Sequence, residues 1–339
     1  MRTPAFWYAP SGPLARLLAP LGMLYGAVTL RRMARPGVRA PLPVICVGNF
    51  VAGGAGKTPT AIALARAAAD VGLSPCFLTR GYGGRLAGPL VVAPDRHGVD
   101  EVGDEALLLA RVAPTVVCRD RRRALDTLAG LGADLCILDD GFQNPAIEKQ
   151  FSLVVVDGAA GVGNGLVLPA GPLRAPVDAQ MVRADAVVTV GEPAGESAMA
   201  VLRSAVGAGR PVLRARLDQR GVEGLRGRRV YAYAGLGRPR KFFDQLRAGG
   251  VYVVETRGFP DHHPYTDADA RAILARADAL GALPVTTEKD AVRLAHAAAG
   301  PRADLAGRSV VVAVDCVFEA PHALAGLIET ARRRWREGG

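Results

Sequence analysis

From residue 43 onward, short apolar runs alternate with longer stretches in which apolar side chains recur every three or four positions. The runs at 44–47, 75–79, 115–118, 135–138, 153–156 and 186–190 are rich in Val, Ile, Leu and Cys, and predict buried strands. Helical spacing appears at 105–112 and 122–131, and in Ala61, Ile62, Leu64, Ala65 and Ala68 behind the first strand. Such alternation predicts an α/β fold, a mainly parallel sheet with helices on both faces. Residues 217–229 are polar, Gly-punctuated and Arg-rich, and read as a linker or hinge. A second alternation follows, with strands at 230–234, 251–255, 283–287 and 310–314, and helices at 240–248, 268–280 and from 322. The expected organisation is an amino-terminal segment (1–33), a core domain (34–216), the linker, and a second, smaller α/β domain (230–339) that closes over a ligand.

Residues 6–33 are the most lipid-like stretch, interrupted by Arg16 and Pro20 and closed by Arg31 and Arg32. That is too broken for a clean membrane span, and no A-x-A-like cleavage site marks a signal peptide. A helix lying in a membrane interface fits, with arginines toward anionic lipid. A helix packed on the protein's own core is the alternative. Composition sharpens the picture in two ways. Half the 339 residues are hydrophobic, with mean hydropathy +0.17, so the chain is globular. The net charge of +10 comes almost wholly from arginine, Lys57, Lys149, Lys241 and Lys289 being the only lysines, and suits an anionic partner. The arginines are dispersed rather than clustered with aromatics, so nucleic acid is not an expected partner, and no obligate protein partner is evident. Five scattered cysteines without a C-x-x-C pair read as small buried hydrophobes in a reducing compartment.

The chemistry centres on residues 44–65, VICVGNFVAGGAGKTPTAIALA. A strand, a glycine-rich turn and a helix beginning at Gly-Lys-Thr form a phosphate cradle. Successive N–H groups face one concavity, the helix aims its positive end there, Lys reaches the phosphates and Thr can hold Mg²⁺. Val51 stands where the first glycine of G-x-x-x-x-G-K-[ST] belongs, and Gly48, three residues earlier, is the candidate for that turn. The expected nucleotide-binding residues are Gly48, Asn49, Val51, Ala52, Gly53, Gly54, Ala55, Gly56, Lys57 and Thr58. Arg174, which closes the Gly/Pro-rich GNGLVLPAGPLR, is a further phosphate contact, since a planar guanidinium suits such oxygens. Asp139 and Asp140 end an apolar run in LDDGFQN and read as the second Mg²⁺ anchor beside Thr58. Asp104 and Glu105 open a helix in EVGDE. They either stabilise its dipole or supply a base or a metal ligand near the γ-phosphate. FPDHHPY carries His262 and His263 beside an Asp and two aromatics, a combination suited to proton transfer more than to zinc. TRGYGG follows the second strand, and TEKD ends a later one.

Read in order, VGNFVAGGAGKTP, TRGYGG, VGDE, LDDGFQ, GNGLVLPAGPLR, GLGRP-RKFF, DHHPY and TEKD resemble the tetraacyldisaccharide 4′-kinase family, from about residue 6 to residue 295. The resemblance implies an ATP- and Mg²⁺-dependent kinase that phosphorylates the 4′-hydroxyl of a lipid A disaccharide precursor at the cytoplasmic face of the inner membrane. It implies Lys57 and Thr58 at the phosphates and Mg²⁺, Asp139 and Asp140 as metal-side acids, and Asp104 as a catalytic carboxylate met by His262 from the second domain. Asn144 follows DDGFQ where many relatives carry His, and Ala175 follows PLR where an acid is common.

Two other classes carry similar loops. A partitioning or septum-positioning ATPase has a lysine before the GG pair, where this chain has Ala52. A GTPase needs N-K-x-D, and TEKD places its lysine one position late.

Overall fold

The computed structural model describes residues 4–295 and 299–338. Its strands are β1 (Val44–Gly48), β2 (Pro75–Thr79), β3 (Leu90–Val91), β4 (Thr115–Val117), β5 (Leu135–Asp139) and β6 (Phe151–Asp157). After them come β7 (Ala186–Val190), β8 (Val212–Arg220), β9 (Arg229–Ala234), β10 (Tyr252–Gly258), β11 (Leu283–Thr287) and β12 (Val310–Phe318). They form a continuous sheet in the order β10-β9-β11-β12-β8-β7-β6-β1-β5-β2-β4-β3. All pairings are parallel except β3 with β4 and β12 with β8. The inner strands are apolar on both faces because helices cover both. Cys46 and Val154 belong to one buried cluster, Ile45, Val47 and Val155 to the other.

The two halves meet through β8 and β12. The first residues of β12 pair with β11, Val285 opposite Val310 and Thr287 opposite Val312, and the rest pair antiparallel with β8, from Ala313 opposite Arg220 to Phe318 opposite Ala215. Residues 217–220, expected within a polar linker, are therefore the second half of a strand. In β8, Leu213, Ala215 and Leu217 alternate with arginines 214 and 216, a period-2 pattern hidden by its charge. The connection is a two-stranded ribbon that the chain crosses twice.

Because β12 leads back across that ribbon, the last helix, His322–Glu337, lies on the first half. Leu324, Ile328 and Ala331 pack in one cluster with Ala61, Leu64 and Ala65 of the helix Lys57–Asp70. Trp335 Nε1 donates to the Ala40 carbonyl at 3.1 Å. The helix expected at 122–131 is broken into a 3₁₀ turn, Arg121–Ala124, and a short helix, Leu125–Ala129.

The amino-terminal helix Pro13–Met33 packs through its small residues. Ala15, Gly22 and Gly26 are buried, and a Cβ on Gly22 would meet the Val167 carbonyl oxygen at 2.6 Å. Leu17, Leu21, Met23, Leu24 and Val28 are left exposed. A helix that buries glycines and exposes leucines is not packed as a core helix.

Candidate active site

β1 delivers the chain to the phosphate loop. Gly48, expected to make the phosphate turn, is instead the buried last residue of the strand. A Cβ there would lie 2.4 Å from the Phe142 Cβ, so this glycine permits a close approach. The left-handed turns fall at Gly53 (φ 118°) and Gly56 (φ 89°). No side chain caps the helix Lys57–Asp70 at Gly56, which leaves its first-turn N–H groups for an anion. Asn49 is fully buried and donates to the Gly53 carbonyl at 3.0 Å, bracing the loop, and Lys57 Nζ lies 3.2 Å from the same oxygen. Gly54 is open on its Cβ side, while Ala55 packs into the core beneath.

The far wall of the loop is GNGLVLPAGPLR. Val51 bridges to Leu173, Ala52 N–H donates to Pro172, and Arg174 N–H donates to the Phe50 carbonyl. Val51 in place of glycine therefore serves as a pairing residue, and the Ala52 amide is turned to protein. The Arg174 guanidinium sits over the loop, its Nε donating to Val51 O at 3.3 Å and its Nη2 3.5 Å from Asp140. Ala175 is buried, and its carbonyl accepts from Gln180. Asn144 Oδ1 accepts from the Ala146 amide at 2.8 Å, so it serves a local turn.

Adjacent acids at the end of β5 have opposite environments. Asp140, in the left-handed region (φ 50°), faces Lys57 at 3.8 Å and Arg174. Burial alone would raise it, yet the charges of Lys57, Arg174 and Arg121 outweigh burial and hold it below the ordinary carboxylate value. Asp139 points inward, 3.5 Å from Thr58 Oγ1. Burial, followed by the charges of Glu105 and Asp140, pushes it up to about 7. Arg121 donates to the Asp140 carbonyl at 2.9 Å and anchors this turn, a role hidden within the run RRR.

The second half contributes the opposite wall. The helix Asp104–Ala110 lies against the helix Glu288–Leu294, and Val292 of the latter packs with Val102, Ala106 and Leu107. Across this seam, His262 Nδ1 is 2.9 Å from Asp104 Oδ2. Arg293 Nε donates to the same oxygen at 2.9 Å, joined by its Nη2. Lys289 Nζ donates to Glu105 at 2.9 Å. Burial would raise Asp104, but the His262 hydrogen bond and the charges of Lys289 and Arg293 outweigh it and hold the carboxyl well below its ordinary range. His263 points elsewhere, to Asp269 at 3.0 Å, and stacks on Phe259. Arg293 lies beyond TEKD and carried no sequence signal as a site residue.

Mg²⁺ fits one part of this arrangement. Asp139 Oδ1 is buried without a hydrogen-bond partner, beside the Thr58 hydroxyl, where a hard cation would satisfy it. Among the described residues no three acids or histidines converge on a metal position. Asp140 Oδ1 is likewise buried without a hydrogen-bond partner, 3.8 Å from Lys57, while Asp140 Oδ2 faces Arg174 and one oxygen of Glu105 is taken by Lys289. Few protein oxygens are available here, which suits an ion that keeps water and phosphate oxygens.

A phosphate loop at a strand–helix junction, a buried acid beside its threonine and a carboxylate–histidine pair that spans the two halves define a nucleotide-dependent phosphotransferase. The family model of tetraacyldisaccharide-1-P 4′-kinase matches residues 14–332, and the chain belongs to that family, whose members transfer phosphate from ATP in lipid A biosynthesis. It is 56% identical over 295 residues to the tetraacyldisaccharide 4′-kinase of Methylorubrum extorquens, covering 87% of this chain and 90% of that one. With that of Rhodopseudomonas palustris it shares 50% over 318 residues, 93% of each chain. The crystal structure of the Aquifex aeolicus enzyme LpxK in complex with ATP is 26% identical with a TM-score of 0.72, covering 94% of this chain and 99% of that one. The partitioning-type alternative finds no support in these likenesses.

The raised Asp139 sets a pH dependence. Its folded value of about 7 exceeds the ordinary 3.8, so the unfolded chain ionises first and stability falls as pH rises between the two. Asp139→Asn is expected to melt several degrees above the parent at pH 8, with the gap narrowing toward pH 5. Parallel melting curves across that range would refute the assignment of Asp139 as the strained carboxylate.

Proposed function

We propose that this chain transfers the γ-phosphoryl group of ATP to the 4′-hydroxyl of a tetraacylated disaccharide 1-phosphate at a membrane surface. The observation that carries this reading is the Asp104–His262 pair closed across the seam between the halves, next to Glu105, whose charge acts on the phosphate-loop acid Asp139. Phosphoryl transfer asks mainly for positioning and charge neutralisation. Lys57, freed from Asp140, moves its ammonium to the β- and γ-phosphates, and Arg174 shields them from the loop's far wall. Thr58 and Asp139 would hold Mg²⁺, which would neutralise phosphate charge. Asp104, kept ionised, is a poor proton acceptor. It orients His262 by accepting from Nδ1–H, which leaves Nε2 to take the proton of the attacking hydroxyl. The new bond forms between that oxygen and the γ-phosphorus as the bond to the bridging oxygen breaks, and ADP leaves.

The lipid acceptor accounts for the amino-terminal helix. Its exposed leucines, and Arg31 and Arg32 in its last turn, suit an anionic bilayer interface. Its small face rests on Val167 of the loop that also pairs with the phosphate loop.

The direct test is phosphate transfer from labelled ATP to the lipid disaccharide, compared with non-lipid sugars. Transfer to the lipid and its abolition in a folded Lys57→Ala variant are expected; full activity in that variant would remove Lys57 from the reaction. Asp104→Ala and His262→Ala are each expected to lower kcat by about 10²- to 10⁴-fold. The double variant should be little worse than the poorer single, and multiplicative losses would show that the pair does not act as a unit. Deleting residues 1–32 is expected to weaken co-sedimentation with anionic vesicles while sparing ATP affinity. Undiminished vesicle binding would rule the helix out as the anchor.

A further inference from the structure

TEKD splits into residues that build a turn and one that leaves it. Thr287 caps the helix Glu288–Leu294, its Oγ1 accepting from the Asp290 amide at 3.3 Å while donating to Asp290 Oδ2 at 2.6 Å. Asp290, fully buried, also accepts from Gly235 N–H, Tyr265 Oη and Arg293 Nη1, at 2.9, 2.8 and 2.8 Å. Glu288 accepts from the Val314 amide, on the strand that joins the halves. The helix start is thereby fixed, and of these four residues it is Lys289 whose side chain reaches across the seam. Its ammonium reaches Glu105 at 2.9 Å and lines, with Thr58, a cavity of about 220 Å³ between the halves. Both Asp139, beside Thr58, and Asp104, beside His262, feel its charge.

Resting on the kinase reading above, we propose that Lys289 is a catalytic cation supplied by the carboxy-terminal half, donating to the γ-phosphoryl oxygens during transfer while Glu105 holds its ammonium in register. Three observations separate this from an ordinary ion pair. Lys289 and Glu105 are only partly exposed, 24% and 27%, and Lys289 stands at a cavity wall shared with the phosphate-loop threonine. The rigid cap at Thr287 and Asp290 fixes the stem of a residue that makes no contact securing its own helix. The facing acids Asp104, Glu105 and Asp139 would repel an incoming polyphosphate, and a cation from the opposite side offsets them where charge spreads over the equatorial oxygens. Lys57 serves the phosphates from the loop's own helix, so Lys289 supplies charge only when the halves are together. Phosphoryl transfer is thereby tied to a closed site.

The test uses the full-length chain in detergent micelles with the lipid disaccharide, comparing Lys289→Met, Lys289→Arg and Lys289→Ala with the parent. Lys289→Met should lower kcat by about 10²- to 10³-fold, the effect of losing one preorganised donor to a transition state. The Kd for ATP should stay within threefold of the parent's, unlike that of Lys57→Ala. Lys289→Arg should recover at least tenfold of the loss, and added methylammonium should restore part of the Lys289→Ala rate. Transfer by the parent enzyme establishes the kinase reading independently, so its absence would fault that reading and the proposal with it. With the parent active, a kcat within threefold of it in Lys289→Met would overturn the proposal. So would a parallel loss of ATP affinity, or melting too low for assay with no rescue by methylammonium, since Lys289 would then be a structural tie.

Discussion

A carboxylate with 2% of its side chain exposed cannot stand alone, and Asp104 is such a group. Removing one partner from a buried pair typically costs about 3–5 kcal/mol, because the remaining charge is stranded. Asp104 belongs to the first half, yet His262 and Arg293, which satisfy it, belong to the second. The seam between the halves is therefore electrostatically obligatory, and Val292 packed against Leu107 makes it apolar as well. Asp290 locks Arg293 from behind, Tyr265 and Gly235 lock Asp290, and the position of the helix Glu288–Leu294 follows. That helix begins where β11 ends, so the second half of the sheet is held in register with an acid at the start of a helix in the first.

The phosphate loop depends on a different support. GNGLVLPAGPLR binds it by backbone pairing at Leu173 and by Arg174, and the same segment is the bed for the amino-terminal helix. Trp7 donates to the Pro169 carbonyl, and Asn164 N–H donates to the Trp7 carbonyl. The apolar-faced amino-terminal helix and the phosphate loop thus share one connection of about a dozen residues. The glycines of that connection are close-approach positions: a Cβ on Gly163 would meet the Trp7 carbonyl oxygen at 2.3 Å, and one on Gly171 the Asn164 side chain at 2.1 Å.

Much of this was legible in the chain, for definite reasons. Strands buried on both faces read as continuous apolar runs, so β1, β2, β5 and β7 were placed within one residue, and β6 within two. Gly-Lys-Thr located the loop because few other uses exist for it. The amphipathic β8 and the two-residue β3 were lost because charge masked the period in one and brevity removed it from the other. The last helix could not be assigned to its half, since local periodicity shows a buried face but not what covers it. Arg121 and Arg293 were invisible for a related reason. A buried arginine is chosen by the carbonyls and carboxylates it meets in space, and those lie 19 and 189 positions away.

The deepest division of labour is between neighbours. Asp139 and Asp140 share a turn and a chemistry, and read in sequence as interchangeable metal-side acids. Three cations surround Asp140 and keep it ionised, so it acts as a counter-charge that holds Lys57 beside the loop. Asp139 receives only a hydroxyl at 3.5 Å, with Glu105 nearby as a like charge, and its free oxygen is buried. Environments that push two adjacent carboxyls apart assign them different tasks. One is already neutralised by protein and can only release its lysine. The other is costly to ionise, because the folding of β5 buries it without an opposing charge in contact. A similar contrast runs across the seam: one oxygen of Asp104 takes the donors of His262 and Arg293 while the other is buried without a partner, whereas Glu105 pairs with the single ammonium of Lys289 at the cavity wall.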